Sequence, residues 1–176
     1  MRYIALLRGI NVGGNTMVKM EELRKTFEAL GFENVKTYIN SGNVAFDAAK
    51  SNEASLVSKI EKTIESDFGR PIQAMIRQQK EFEMILQSNP FEGEFESHKE
   101  MHVLFLKDEM PREKQDQLLA AAAAETERFA VKGRQIYCLL PSGVADSLLG
   151  KGYIEKKLKV AVTARNWRTV EMLAGL

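Results

Sequence analysis

The spacing of hydrophobic positions changes repeatedly along the chain, and each change marks an element. Tyr3–Leu7 is an unbroken apolar run closed by Arg8-Gly9, which predicts a central strand covered on both faces. A Gly/Asn-rich loop follows from Gly9 to Thr16. Apolar residues then recur at Met20, Leu23, Phe27 and Leu30, the spacing of one helical face. Gly31 ends that helix, and Phe32 is placed for the apolar contact of a C-terminal cap. Val35–Ile39 and Val44–Phe46 predict two strands joined through Asn40-Ser41-Gly42-Asn43, because Gly and Asn reach the positive φ of a tight turn at little cost. Ser51 or Asn52 caps a helix with the stripe Val57, Ile60, Ile64 and Phe68, ended by Gly69 and Pro71. Ile72, Ala74 and Ile76 alternate with Gln73, Met75 and Arg77, which predicts a half-buried strand. Phe82, Ile85 and Leu86 fall on a short helix stopped by Asn89-Pro90.

Periodicity lapses after Asn89, and the order of elements then repeats. His102–Leu106 reads as a strand, and Pro111 opens a helix at its first position that runs to about Ala124. Arg128–Val131 and Gln135–Leu140 read as strands around Lys132-Gly133. Ser142 caps an expected helix bearing Val144, Leu148 and Leu149, and a further turn carries Ile154 and Leu158. Val160–Thr163 is the expected last strand, and Trp167, Val170 and Leu173 mark a closing helix. Both halves read β-α-β-β-α-β. The expected fold class is therefore α+β, with two tandem ferredoxin-like (βαββαβ) subdomains and antiparallel sheets. Residues 1–90 and 101–176 are the expected subdomains, and 91–100 the linker.

Composition and charge narrow the classes of function. A chain of 176 residues with 44% hydrophobic content is not a disordered one. No window of about 18 apolar residues exists, so no membrane-spanning helix is expected. The single cysteine, Cys138, excludes an internal disulfide and a cysteine-rich zinc module; alternating with Ile136 and Leu140, it reads as a buried thiol. A net charge of +1 lacks the electrostatic footprint of a DNA-coating protein, so nucleic acid is not the expected partner. The local basic excess at Lys151, Lys156, Lys157, Lys159, Arg165 and Arg168 reads as a solvated helix face or an anion-binding wall. His98 and His102 have a helical ligand spacing but sit where linker becomes strand, so no metal site is expected. Ser41 lacks a His partner for a hydrolase triad. No cofactor is named by the sequence.

Topology points to one candidate site. In the expected fold the strand order is 4-1-3-2. The loop leaving the first strand, the turn between the second and third, and the approach to the fourth at Gly69-Arg70-Pro71 then meet at one end of the sheet. That end gathers Arg8, Asn11, Gly13, Gly14, Lys19, Asn40, Ser41 and Asn43. Glycines let a ligand approach backbone N–H groups, and successive N–H groups form anion-binding nests. Arg8 and Lys19 add charge-assisted bonds to phosphate or carboxylate. Gly9-Ile-Asn-Val-Gly13-Gly14 matches neither the dinucleotide fingerprint nor the P-loop. The expectation is a small anionic ligand, a nucleotide or other phosphoester. Against it stand a loop and hairpin whose glycines serve backbone geometry alone, an enzyme acting on a phosphoester or acyl substrate at the same edge, and a homodimeric module or weak single-strand nucleic-acid binder. A second segment, Thr163-Ala-Arg-Asn-Trp-Arg-Thr-Val170, has Thr163 as a possible helix cap. Arg165 and Asn166 join the site if the halves bring that helix near, and Trp167 is either a core anchor or a stacking platform.

Leu6-Leu-Arg-Gly-Ile-Asn-Val-Gly-Gly14, Ser41-Gly-Asn-Val44 and Thr163–Val170 together resemble the signature segments of bacterial DUF1697 proteins, over essentially the whole chain. Ala164 stands where that family often carries Thr, so no hydroxyl role is expected there. The resemblance implies a cytoplasmic α+β protein of two ferredoxin-like halves and implies no activity.

Overall fold

The computed structural model describes residues 1–14 and 16–176. The chain forms two compact units, Met1–Met84 with Leu173–Leu176, and Ile85–Met172. Each contains one four-stranded antiparallel sheet with helices, a mixed α+β architecture.

The first unit runs β1 (Arg2–Leu7), α1 (Met20–Ala29), β2 (Glu33–Tyr38), β3 (Asn43–Asp47), α2 (Glu53–Phe68) and β4 (Ala74–Gln78), with α3 (Gln79–Gln87) next in the chain. The sheet order is β2-β3-β1-β4. One sheet face, with Tyr3, Ala5, Leu7, Val44, Phe46 and Ile76, packs with Leu23 and Phe27 of α1 and Leu56, Ile60 and Ile64 of α2. Phe46 stacks on Phe32 at 4.4 Å between centroids and meets Phe27 edge-on at 5.4 Å. Each such side chain, fully buried, contributes about 1.5–3 kcal/mol, so this layer rather than helix propensity orders α1 and α2. Asn52 caps α2 by accepting the Ser55 N–H, and Gly69 ends it in the left-handed conformation. Ile4 and Leu6, on the other face of β1, are fully buried as well. The expected half-burial of β4 is corrected: Ala74 to Arg77 are all buried, and Arg77 is 0% exposed. Its guanidinium donates to the Ile76 carbonyl at 2.8 Å, which lets a cation occupy an enclosed position.

The second unit contains β5 (Met101–Phe105), α4 (Arg112–Ala122), β6 (Arg128–Lys132), β7 (Gln135–Leu139) and β8 (Thr163–Asn166), and α5 (Trp167–Ala174) closes the element order. The sheet order is β6-β7-β5-β8. Leu104, Leu118, Phe129, Ile136 and Ile154 lie in its core. The helix expected from Ser142 is absent. Turns fill that stretch, followed by a single wide turn at Tyr153–Lys157 in which Leu158 N–H reaches Tyr153 O. Glycine explains this: a Cβ on Gly150 would stand 2.1 Å from the Val144 carbonyl oxygen, and Gly152 is left-handed at φ 73°. The last strand is Thr163–Asn166 rather than Val160–Thr163. Thr163 therefore opens a strand and does not cap α5; Asn166 does, its Oδ1 accepting the Thr169 N–H at 2.9 Å. Pro111 precedes α4 as its N-cap, with ψ 142°, instead of occupying the first helical position. Trp167 is buried and meets Phe95 edge-on, so it anchors packing. Cys138 is fully buried, and burial pushes its thiol pKa well up. Residues 91–100 form hydrogen-bonded turns, with the Glu100 carboxylate accepting the N–H groups of Glu96 and Ser97. Among the described residues no helix is long and apolar enough to cross a membrane.

Candidate functional site

Because β1 lies between β3 and β4, the chain leaving β1 emerges beside both the β2–β3 turn and the start of β4. The backbone ties all three together. Leu7 N–H donates to Gly42 O at 2.8 Å, and Arg8 N–H donates to Gln73 O at 2.9 Å. Asn11 adds a side-chain clamp. Its Nδ2 donates to Asn40 O at 2.7 Å and to Val18 O at 2.9 Å, while its Oδ1 accepts the Val18 N–H at 2.7 Å. Two donors and one acceptor site are thereby used, so Asn11 brackets loops rather than facing a ligand. Asn43 is also a bracket: it is fully buried, and its Nδ2 donates to Tyr38 O and Ser41 Oγ. Asn40 is exposed, and Ser41 is half-buried.

The backbone here is unusual. Asn11, Thr16 and Ile39 have φ of 54°, 49° and 49°, three of the five non-glycine residues with positive φ among those described. For β-branched Thr16 and Ile39 the left-handed region costs roughly 1–2 kcal/mol each. Gly42 is enforced by space as well as by φ: a Cβ there would lie 2.6 Å from Ile10 Cδ1 and 2.9 Å from Leu7 Cβ. Gly13 and Gly14 are exposed, and a Cβ at either would meet nothing within 4 Å. Asn15, within the same loop, lies outside the described residues.

Three cations sit on these loops. Arg8 is half-buried, and its Nη1 donates to Gln73 Oε1 at 3.4 Å. Arg70, exposed on the approach to β4, donates to Thr16 Oγ1 at 3.4 Å and so links two of the loops. Lys19 is exposed, with its Nζ 4.0 Å from Glu22 Oε1. Arg70 and Thr16 were not singled out from the sequence, although Gly69-Arg70-Pro71 placed the arginine at this end. The remaining sequence candidates serve the second unit. Arg165 lies on β8, not on a helix end; it is 5% exposed, and its Nη1 donates to Thr163 Oγ1 and Ala164 O, both at 2.8 Å. Burial lowers its pKa to about 10. Asn166 is the α5 cap described above. His98 Nε2 pairs with Glu171 Oε2 at 3.1 Å. Among the described residues no group of three or more His, Cys, Asp or Glu is placed to hold a metal ion.

Two antiparallel four-stranded sheets, one ending in a strained, basic, glycine-rich loop edge, define a mixed α+β protein with its candidate chemistry on loops. The chain belongs to the DUF1697 family, described as proteins of unknown function, whose sequence pattern matches residues 1–137. That span includes the loops at Leu6–Gly14 and Ser41–Val44 and excludes Thr163–Val170. Among solved structures the chain is similar to a conserved bacterial protein, SP0830 from Streptococcus pneumoniae, at 27% sequence identity and a TM-score of 0.76 over 99% of this chain and 97% of that one. A comparison with curated proteins finds no match.

Proposed function

We propose that the protein binds a small anionic ligand, a nucleotide or other phosphoester, at the loop edge of its first unit. The observation that carries this reading is the convergence of three loops held in left-handed backbone conformations by Asn11, Asn43 and two backbone bonds. Strained backbone persists only where its surroundings over-determine it, and such places cluster at ligand sites. Arg8, Arg70 and Lys19 supply positive charge, and the exposed glycines leave N–H groups open to close approach. Asn11 and Asn43 act by fixing the loops. We read both units as ferredoxin-like: the first has all six elements of βαββαβ, and the second has the same strand order with turns in place of its second helix. A cytoplasmic location, where phosphoesters abound and a lone thiol stays reduced, accompanies this reading.

Thermal unfolding with inorganic pyrophosphate or AMP at fixed ionic strength tests it. The Tm of the unmodified protein rises with ligand, and Arg8→Ala removes that rise while leaving the unliganded Tm nearly unchanged. Equal loss of stability without ligand would make Arg8 structural, and no shift with any phosphate compound would end the proposal.

A further inference from the structure

Val12, Met17 and Ile39 are aliphatic residues facing solvent, and all three stand on the loop edge of the first unit. Val12 is 65% exposed and Met17 71%, the two highest values among the large hydrophobic residues described, and Ile39 is 49% exposed. One asparagine gathers them. Asn11 directly precedes Val12. Its backbone N–H donates to Thr16 O at 3.0 Å and its side chain binds both the N–H and the C=O of Val18, so it holds the chain on either side of Met17. Its Nδ2 also donates to the carbonyl of Asn40, the residue after Ile39. Single hydrophobic residues on a surface are ordinary, whereas several brought to one edge mark a place of contact. Ile39 is costly in a second way. Its φ of 49° lies in the left-handed region, where a β-branched side chain is strained and Asn or Gly fits readily. Neither its backbone conformation nor its exposure favours isoleucine, which leaves contact with something outside the chain as the use of this side chain. Cations border the same residues. Arg70 reaches Thr16 Oγ1, beside Met17, and Lys19, two residues beyond Met17, has an 83% exposed side chain.

On the phosphoester reading above, and resting on it, we propose that the ligand of this edge is a phosphate ester of a hydrocarbon alcohol. Its phosphate meets Arg70 and Lys19, and its hydrocarbon lies against Val12, Met17 and Ile39. Charge and apolar surface side by side complement a molecule that is anionic at one end and apolar at the other. A nucleotide complements them less well. Proteins recognise a base by aromatic stacking and by hydrogen bonds to its edges, and these three side chains offer no ring and no strong hydrogen-bonding group. Aliphatic side chains instead bury hydrocarbon, and each methylene buried in full strengthens binding about fourfold.

Isothermal titration calorimetry of the full chain with methyl, butyl and octyl phosphate, each below its micelle-forming concentration, tests the proposal. The Kd falls at least about tenfold from methyl to octyl phosphate. The double variant Val12→Ser/Met17→Ser cuts that ratio to about threefold or less. Met84→Ser, at an exposed methionine of α3, leaves the ratio as it is. Ile39→Asn lowers the ratio without lowering the Tm of the unliganded protein, because asparagine accepts the positive φ. Vesicles containing phosphatidic acid separate two bearers of the same chemistry: binding places the ester in a bilayer, and no binding, with octyl phosphate still bound, places it on a free molecule. Equal binding of methyl and octyl phosphate, or a ratio undiminished in the double variant, would overturn the proposal and leave the phosphoester site standing. Octyltrimethylammonium bound as tightly as octyl phosphate would overturn it in favour of an apolar surface without preference for anions. No binding by any of the phosphates would remove both readings.

Discussion

At the end of β1, Leu7 donates its N–H to Gly42 O in the β2–β3 turn at 2.8 Å; just past β5, Leu106 donates its N–H to Arg134 O in the β6–β7 turn at 3.0 Å. The two sheets close the same corner with the same bond. They differ in what surrounds it. In the second unit the hairpin turn has two residues, and a short stretch, Leu106–Pro111, leads to α4. In the first unit the turn runs from Ile39 to Gly42, and a long loop from Arg8 to Lys19 leads to α1. Three non-glycine residues there hold a positive φ, whereas Leu106–Pro111 and Gly133-Arg134 have only Gly133. The sheet topology is thus satisfied without the longer, strained loops. Part of the longer loop serves packing, since Ile10 and Val18 are buried in the core of the first unit; its exposed remainder, with Gly13 and Gly14, is the part that the proposed ligand site uses.

The largest test of the comparison is a pair of glycine substitutions. Gly42→Ala meets Ile10 and Leu7 at a positive φ and is expected to cost about 3 kcal/mol in urea unfolding. Gly133→Ala has open space around its Cβ at φ 58° and should cost only about 1 kcal/mol. Equal losses would erase the distinction between the corners. The next test concerns the loop brackets. Asn11→Ala removes three hydrogen bonds and should cost about 2 kcal/mol, along with any Tm rise from pyrophosphate. Gln115→Ala removes one, to Met110 O, and should cost about 1 kcal/mol or less with that rise intact. The smallest effect is one of pH. Both histidines and the only tryptophan belong to the second unit, so Trp167 fluorescence reports its unfolding. Burial lowers the His102 pKa below its ordinary 6.5, so below that pH the unfolded chain takes up a proton that the folded one resists. Stability of the second unit therefore falls as pH drops from about 6.5 toward the folded-state value. His102→Gln should flatten that slope; an unchanged slope would assign it to other groups.

Most of the first unit was legible because its signals are local. The run Tyr3–Leu7, the stripes on α1 and α2 and the left-handed stop at Gly69 each name an element without help from distant residues. The strand order of the fold then brings Arg8, Asn11, Asn40 and Asn43 to one end of the sheet. Their division of labour was not legible, because a free asparagine amide and a saturated one look alike in sequence. Only the carbonyls of Val18, Asn40 and Tyr38 show that Asn11 and Asn43 are brackets. The stretch 142–158 misled because Val144, Leu148 and Leu149 have helical spacing. What decided it is the close passage of Gly150 against Val144, a contact no periodicity encodes. Arg77 alternates with apolar residues and Arg165 falls in a basic stretch, patterns that point to solvent or a ligand, yet their guanidiniums turn back onto the carbonyls of Ile76 and Ala164. Charge alone does not mark a surface position when the neighbouring backbone supplies acceptors.

The first unit includes Leu173–Leu176, whose Ala174 and Leu176 carbonyls accept bonds from Gln79 and Arg2. A ribosome making this chain releases the opening sheet long before the residues that complete its border. All four strands of that sheet are made by Gln78, so what waits until translation has passed residue 172 is the border that Leu173–Leu176 supply. Chaperone engagement and proteolytic nicking during synthesis should concentrate in that interval, and moving residues 173–176 ahead of Met1 by circular permutation would shorten it.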